Sequence, residues 1–191
     1  MPLSPLFNPC ASVMFKNRIF WICALLGLVL DRLTKFLVVY TFPLTIPPQT
    51  YPIVPGVFHF TYVVNTGAAF SLFNQGVVWL RWLSLGVSVG LMLLAWFGPV
   101  LNRWEQAGYG FILSGAIGNG IDRFILGRVV DFLDFRLIQF PVFNLADVFI
   151  NVGIACLLVA AFVRTTPAER KRQRRRGQES EVGEEDGGIE N

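Results

Sequence analysis

Long apolar stretches alternate with short polar connections along the chain, near Arg18–Tyr40, Gly76–Gly98, Tyr109–Leu126 and Phe143–Val163. Each is long enough, as a helix, to cross about 30 Å of hydrocarbon. The pattern predicts an all-α integral membrane protein with four transmembrane helices. Between the first and second stretches the texture changes. The proline cluster "PLTIPPQTYPIVPG" opposes helix. It is followed by "VFHFTYVV", whose β-branched and aromatic residues predict a strand. The expected architecture is therefore a helical membrane domain with a small β-containing loop on one side. Its expected segments are an N-terminal piece (1–17), the four-helix domain (18–163, with the loop at 41–75) and a charged tail (164–191).

Composition changes this picture little. The chain has 191 residues, 53% of them hydrophobic, and the distribution of apolar residues decides more than the fraction. Charge placement adds orientation. Lys16 and Arg18 precede the first stretch, Arg103 separates the second from the third, and "RKRQRRR" (Arg170–Arg176) follows the last, whereas Thr41–Gln75 holds no Lys or Arg. Positive charge collects on the cytoplasmic side, so both termini are expected there and the long loop outside. Arg128 and Arg136 run against this and are outweighed by the C-terminal cluster. That cluster reads as a topology anchor able to touch anionic lipid, not as a nucleic-acid site, and the acidic tail beyond it has a disordered composition.

Cys10, Cys23 and Cys156 suggest no disulfide framework, and no metal-ligand spacing is present. His59, the single histidine, is expected on the surface of the strand. The N-terminal apolar stretch runs on through Asp31 and Lys35, unlike a cleavable signal. "GAIGNG" lies inside an apolar stretch with no preceding strand, so it is no phosphate loop. Its small residues instead permit close helix packing.

Ionisable groups inside apolar stretches are expensive and tend to be functional. Asp31 and Lys35 are four apart and share a helix face. Asp122, Asp131, Asp134 and Asp147 gather around the ends of the third and fourth stretches. Those stretches are antiparallel, so the chain returns Asp147 to the depth of Asp131. Two close carboxylates hold one proton between them, which suits amide hydrolysis. One takes a proton from water while the other polarises the carbonyl. The bland readings also stand. Asn144 and Asp147 fit an N-cap and third helical position, Asp122 can pair with Arg123, and Asp134 can be solvated in a loop. On the residues alone, a catalytic pair, a proton or ion relay and a structural role all stay open, as does a lipid-binding scaffold.

"GAIGNGIDRFILGRVVDFLDF" with "FNLADVFINVGI" resembles the two aspartate-bearing signatures of bacterial lipoprotein signal peptidase. "VVNTGAAFSLF" is similar to that family's asparagine-bearing outer-loop motif, and "DRLTKF" to the motif of its first span. The resemblance covers roughly Asp31 to Gly153, with the motifs in order. It implies a cofactor-free and metal-free aspartyl endopeptidase of the cell inner (plasma) membrane, with its site near the outer face. Such an enzyme cuts a prolipoprotein just before a cysteine that carries diacylglyceryl. By motif, Asp131 and Asp147 are catalytic. Asn65, Gly67, Asn119, Arg123, Asn144, Asp31 and Lys35 shape or support the site, and Asp134 is not catalytic. Gly120 departs from the pattern, standing where a bulkier apolar residue is common.

Overall fold

The computed structural model describes residues 16–67, 76–138 and 140–164. Cys10, Phe70, Leu72, Phe73, the basic run and the acidic tail lie outside them. In chain order the elements are α1 (Arg18–Thr41), β1 (Thr50–Val54), β2 (Phe58–Asn65), α2 (Gly76–Phe97), α3 (Arg103–Ile125), β3 (Val129–Phe135) and α4 (Leu145–Arg164). Among the described residues two helices contain segments long and apolar enough to cross a membrane, Val78–Phe97 and Leu145–Val163. α1 and α3 carry most of the buried ionisable residues of the helices, among them Asp31, Lys35 and Asp122.

The helices are inside out by the standard of a soluble protein. In α1 the buried positions are Phe20, Ala24, Gly27, Asp31, Lys35 and Val38, which recur at helical spacing. Its outward positions include Leu25, Leu33, Phe36 and Tyr40, all exposed. Charge sits inside and apolar bulk outside, as suits a helix surrounded by hydrocarbon.

α3 lies at the centre, packed on α1, α2 and α4. Close approach to α4 depends on glycine. A Cβ built at Gly153 would lie 2.6 Å from the Gly108 carbonyl oxygen, and one built at Gly108 would lie 2.9 Å from the Gly153 oxygen. α3 begins at Arg103, earlier than the apolar pattern suggested. Asn102 accepts a hydrogen bond from Glu105 N at 3.0 Å, and Glu105 accepts one from Asn102 N at 3.0 Å. This capping box lets a polar first turn join the helix.

The β-structure is larger than the loop expected from sequence. β1, β2 and β3 form an antiparallel sheet in that order, so the segment around Asp134 is a strand and not a loop. His59 pairs with Asp134 and Val63 with Asp131, with a bulge between Phe60 and Val63. Val38 of α1 packs with Tyr62, Val130 and Phe132, seating the sheet on one end of the bundle.

Gly153→Ile will force α3 and α4 apart and lower stability by about 2 kcal/mol, seen as a lower thermal midpoint in detergent. Gly86→Ala, at a position with nothing within 4 Å of a built Cβ, will leave that midpoint unchanged.

Candidate active site

α1 brings Asp31, Arg32 and Lys35 to the sheet end of the bundle, one cation in excess. α3 supplies the balancing carboxylate. Arg32 donates to Asp31 Oδ2 at 2.6 Å and to Asp122 Oδ1 at 2.7 Å. Lys35 Nζ reaches Asp31 Oδ1 at 3.1 Å and Asp122 Oδ2 at 2.9 Å. Two acids and two bases form a neutral quartet, with Asp31, Lys35 and Asp122 buried and Arg32 half-buried. Asp31 also accepts from Ala146 N at 3.0 Å, capping the start of α4 from a different helix. Asp122 accepts from Val130 N at 3.4 Å, tying in β3. Gly118 is required here, because a Cβ at that position would stand 2.5 Å from Asp31 Oδ2.

The third donor of Lys35 goes to Asn119 Oδ1 at 2.9 Å. An ammonium only donates, so Asn119 must present its oxygen to Lys35 and turn its NH2 outward. That NH2 donates to Asp147 Oδ1 at 2.8 Å. Asn144 is fully buried and uses every group it has. Its Nδ2 donates to Asp131 Oδ1 at 2.6 Å and to Asn119 Oδ1 at 3.1 Å, and its Oδ1 accepts from Asp147 N at 3.1 Å. Asn144 N in turn donates to Asp147 Oδ2 at 3.3 Å. Asn144 and Asp147 thus form the capping box that the sequence allowed, and the same pair faces Asp131. Capping and site chemistry coincide.

Asp131 comes from β3 and is 2% exposed. Burial pushes its carboxyl up to about 6, and the Asp147 charge adds to the rise. The Asn144 and Asn65 amides and the more distant Lys35 act in the opposite direction. Asn65 closes β2, and its Oδ1 accepts from Gly67 N at 2.8 Å. Gly67 has φ +82°, which glycine adopts without strain.

Asp131 and Asp134 are three apart on one strand, so they face opposite sides of the sheet. Asp134 is buried rather than solvated. It accepts from Thr61 Oγ1 at 2.6 Å and from Arg136 Nη2 at 2.9 Å. His59 is likewise buried, not on the surface: it meets Thr50 Oγ1 at 3.0 Å, and its Nε2 accepts from Gly56 N at 3.2 Å. Cross-strand registration creates both environments. Among the described residues Arg123 makes no hydrogen bond to an aspartate. Its Nη1 donates to Ser84 Oγ at 3.2 Å, while the charges of Asp147, Asp131 and Asp122 act on it through space. The expected Asp122–Arg123 pair is replaced by Asp122 with Arg32 and Lys35, because the guanidinium of the next residue points toward α2.

Arg32 and Asp122 were absent from the residues assigned by motif. The excess positive charge of α1 was the signal for them, since a buried cation requires an acid from another helix. Among the described residues no group of three or more His, Cys, Asp or Glu is placed to hold a metal.

Apolar exteriors, charged interiors and a polar centre at one end of the bundle define a membrane-embedded helical protein. The family model described as Signal peptidase (SPase) II matches residues 23–163, and the chain belongs to that family of proteases. A lipoprotein signal peptidase of Cyanothece sp. (strain PCC 7425 / ATCC 29141) is 71% identical over 161 residues, covering 84% of this chain and 92% of that one. Another, from Microcystis aeruginosa (strain NIES-843 / IAM M-2473), is 69% identical over 147 residues, covering 77% and 94%. A solved bacterial membrane enzyme shares the fold, with a TM-score of 0.67 at 24% identity over 76% of this chain and 88% of its own.

Asp122→Asn will leave the quartet with an uncompensated cation and cost about 3 kcal/mol. The variant will unfold at a markedly lower temperature in detergent than the wild-type protein.

Proposed function

We propose that this chain removes the signal peptide of prolipoproteins by cutting before a diacylglyceryl-modified cysteine, with Asp131 and Asp147 as the catalytic pair. The observation that carries the reading is the way the two carboxylates are held. Each receives a side-chain amide, Asn144 on Asp131 and Asn119 on Asp147, and the two amides bond to each other. The neighbouring acids, Asp31 and Asp122, are occupied by Arg32 and Lys35. A carboxylate held by neutral donors keeps its capacity to exchange a proton.

In this mechanism the pair shares one proton. The ionised member takes a proton from a water molecule, whose oxygen attacks the scissile carbonyl. The protonated member donates a hydrogen bond to the carbonyl oxygen as negative charge develops there. The amine then departs with a proton from the pair, which returns to its starting state. Asn119 and Asn144 fix both carboxylates, and Arg123 adds positive potential beside them. A divalent cation is unfavourable at this place because Lys35 and Arg123 already supply positive charge.

The remaining features follow from the same reading. All four helices cross the cell inner (plasma) membrane, with both termini cytoplasmic and the sheet on the outer side. The site then lies where a lipid-anchored cleavage sequence emerges from the bilayer. Residues 18–163 form the peptidase, flanked by an N-terminal segment and a charged cytoplasmic tail. Lipid and lipid-modified prolipoprotein are the partners, and nucleic acid is not.

Asp131→Asn and Asp147→Asn will each lower processing of a lipid-modified prolipoprotein by at least about a thousandfold, with expression and thermal midpoint kept. Asp134→Asn, on the opposite face of β3, will keep most activity. Substantial turnover by either of the first two variants would remove that residue from the pair.

The pH profile follows from the direction of the Asp131 shift. A carboxyl raised to about 6 is neutral below that pH and ionised above it. The reaction needs one proton on the pair, so kcat/KM of the free enzyme will decline on the alkaline side, approaching about tenfold per pH unit. A rate that stays flat from pH 5 to 9, measured on purified protein, would contradict the shared proton.

A further inference from the structure

α4 carries one side-chain amide that neither the quartet nor the proposed catalytic pair employs. Asn151 lies inside the apolar segment Leu145–Val163 and is exposed. It is the only exposed side-chain amide in the four described helices. Its Nδ2 donates to the Asp147 carbonyl oxygen one turn earlier, at 2.9 Å. Among the described residues its Oδ1 receives no hydrogen bond. Exposed Ile154 and Leu158 continue the same outward side of the helix. A lone acceptor on such a surface is costly in hydrocarbon, where no water satisfies it.

The substrate has the complementary deficit. A peptide bond inside a helix is shielded by the turns around it, so a membrane-embedded signal segment must unwind next to the cut. Unwinding strips backbone N–H groups of their partners, and lipid supplies none. The enzyme must provide acceptors near the scissile bond. Asn151 is four residues past Asp147, on the same side of α4 and about 6 Å deeper. An extended peptide advances about 3.3 Å per residue, so this offset equals about two residues. The deeper direction is the signal-peptide side, which stays in the membrane.

We propose that Asn151 Oδ1 is a backbone-binding subsite that accepts the N–H of the residue two positions before the scissile bond. It is a positioning residue and takes no part in proton transfer. The inference rests on the proposed assignment of Asp147 to the catalytic pair. It also accounts for the bond to the Asp147 carbonyl, which anchors the amide so that its oxygen faces the substrate.

The test pairs an enzyme variant with a substrate variant. Purified Asn151→Leu should raise KM about five- to tenfold with kcat little changed, the size expected for one hydrogen bond. Its pH profile should match wild type, and its thermal midpoint should be equal or higher, because leucine suits lipid. A synthetic lipopeptide with an ester in place of that one amide N–H should lose the same factor with the wild-type enzyme and nothing further with Asn151→Leu. Asn151→Gln should recover part of the loss. An unchanged KM in Asn151→Leu, or losses that multiply when both changes are combined, would overturn the subsite. An active Asp147→Asn would instead defeat the catalytic assignment on which it rests.

Discussion

The structure depends on a buried charge balance that α1 cannot achieve alone. Asp31, Arg32 and Lys35 leave one positive charge over, and only a carboxylate from another element closes the account. Asp122 does so from α3. Because each acid also accepts a backbone N–H, the same four side chains fix the start of α4 through Ala146 and the start of β3 through Val130. Those are the two elements that carry Asp147 and Asp131. A polar contact that looks like helix pairing therefore sets the position of the proposed chemistry.

The buried acids divide by the kind of partner they meet. Asp31 and Asp122 meet cations, whereas Asp131 and Asp147 meet amides. Lys35 connects the two groups, since its last donor orients Asn119 and Asn119 then donates to Asp147. Neutral donors hold a carboxylate in place without removing its affinity for a proton. This division gives one cluster a structural task and leaves the other free to titrate. Strand alternation completes the separation by turning Asp134 to the far side of the sheet.

Much of this was legible in the sequence, for identifiable reasons. Apolar runs marked the helices, and β-branched residues marked β2. The order Asp131, Asn144, Asp147 could be folded into one place by an antiparallel return. Other features depended on tertiary contacts. The first turn of α3 is polar and was hidden until Asn102 and Glu105 were seen to cap each other. β3 is an apolar run as short as a loop, and only its registration with β2 makes it a strand. His59 and Asp134 looked solvated because their partners, Gly56, Thr50, Thr61 and Arg136, come from other strands and turns. Arg123 belonged to a site motif, yet it touches Ser84 of α2 rather than a carboxylate. The pairing of Asp122 was misassigned because adjacency in sequence suggested Arg123, whereas helix geometry sends neighbouring side chains in different directions.

The central claim is that the exchangeable proton resides on the amide-held pair and not on the cation-held quartet. Infrared difference spectroscopy of the purified protein tests it directly, through the carbonyl band of a protonated carboxyl group. The account predicts a band present at pH 5 and lost as pH rises through about 6, missing in Asp131→Asn and retained in a folded Asp122→Asn protein. A band that survives in Asp131→Asn and vanishes in Asp122→Asn would place the proton in the quartet and contradict the account.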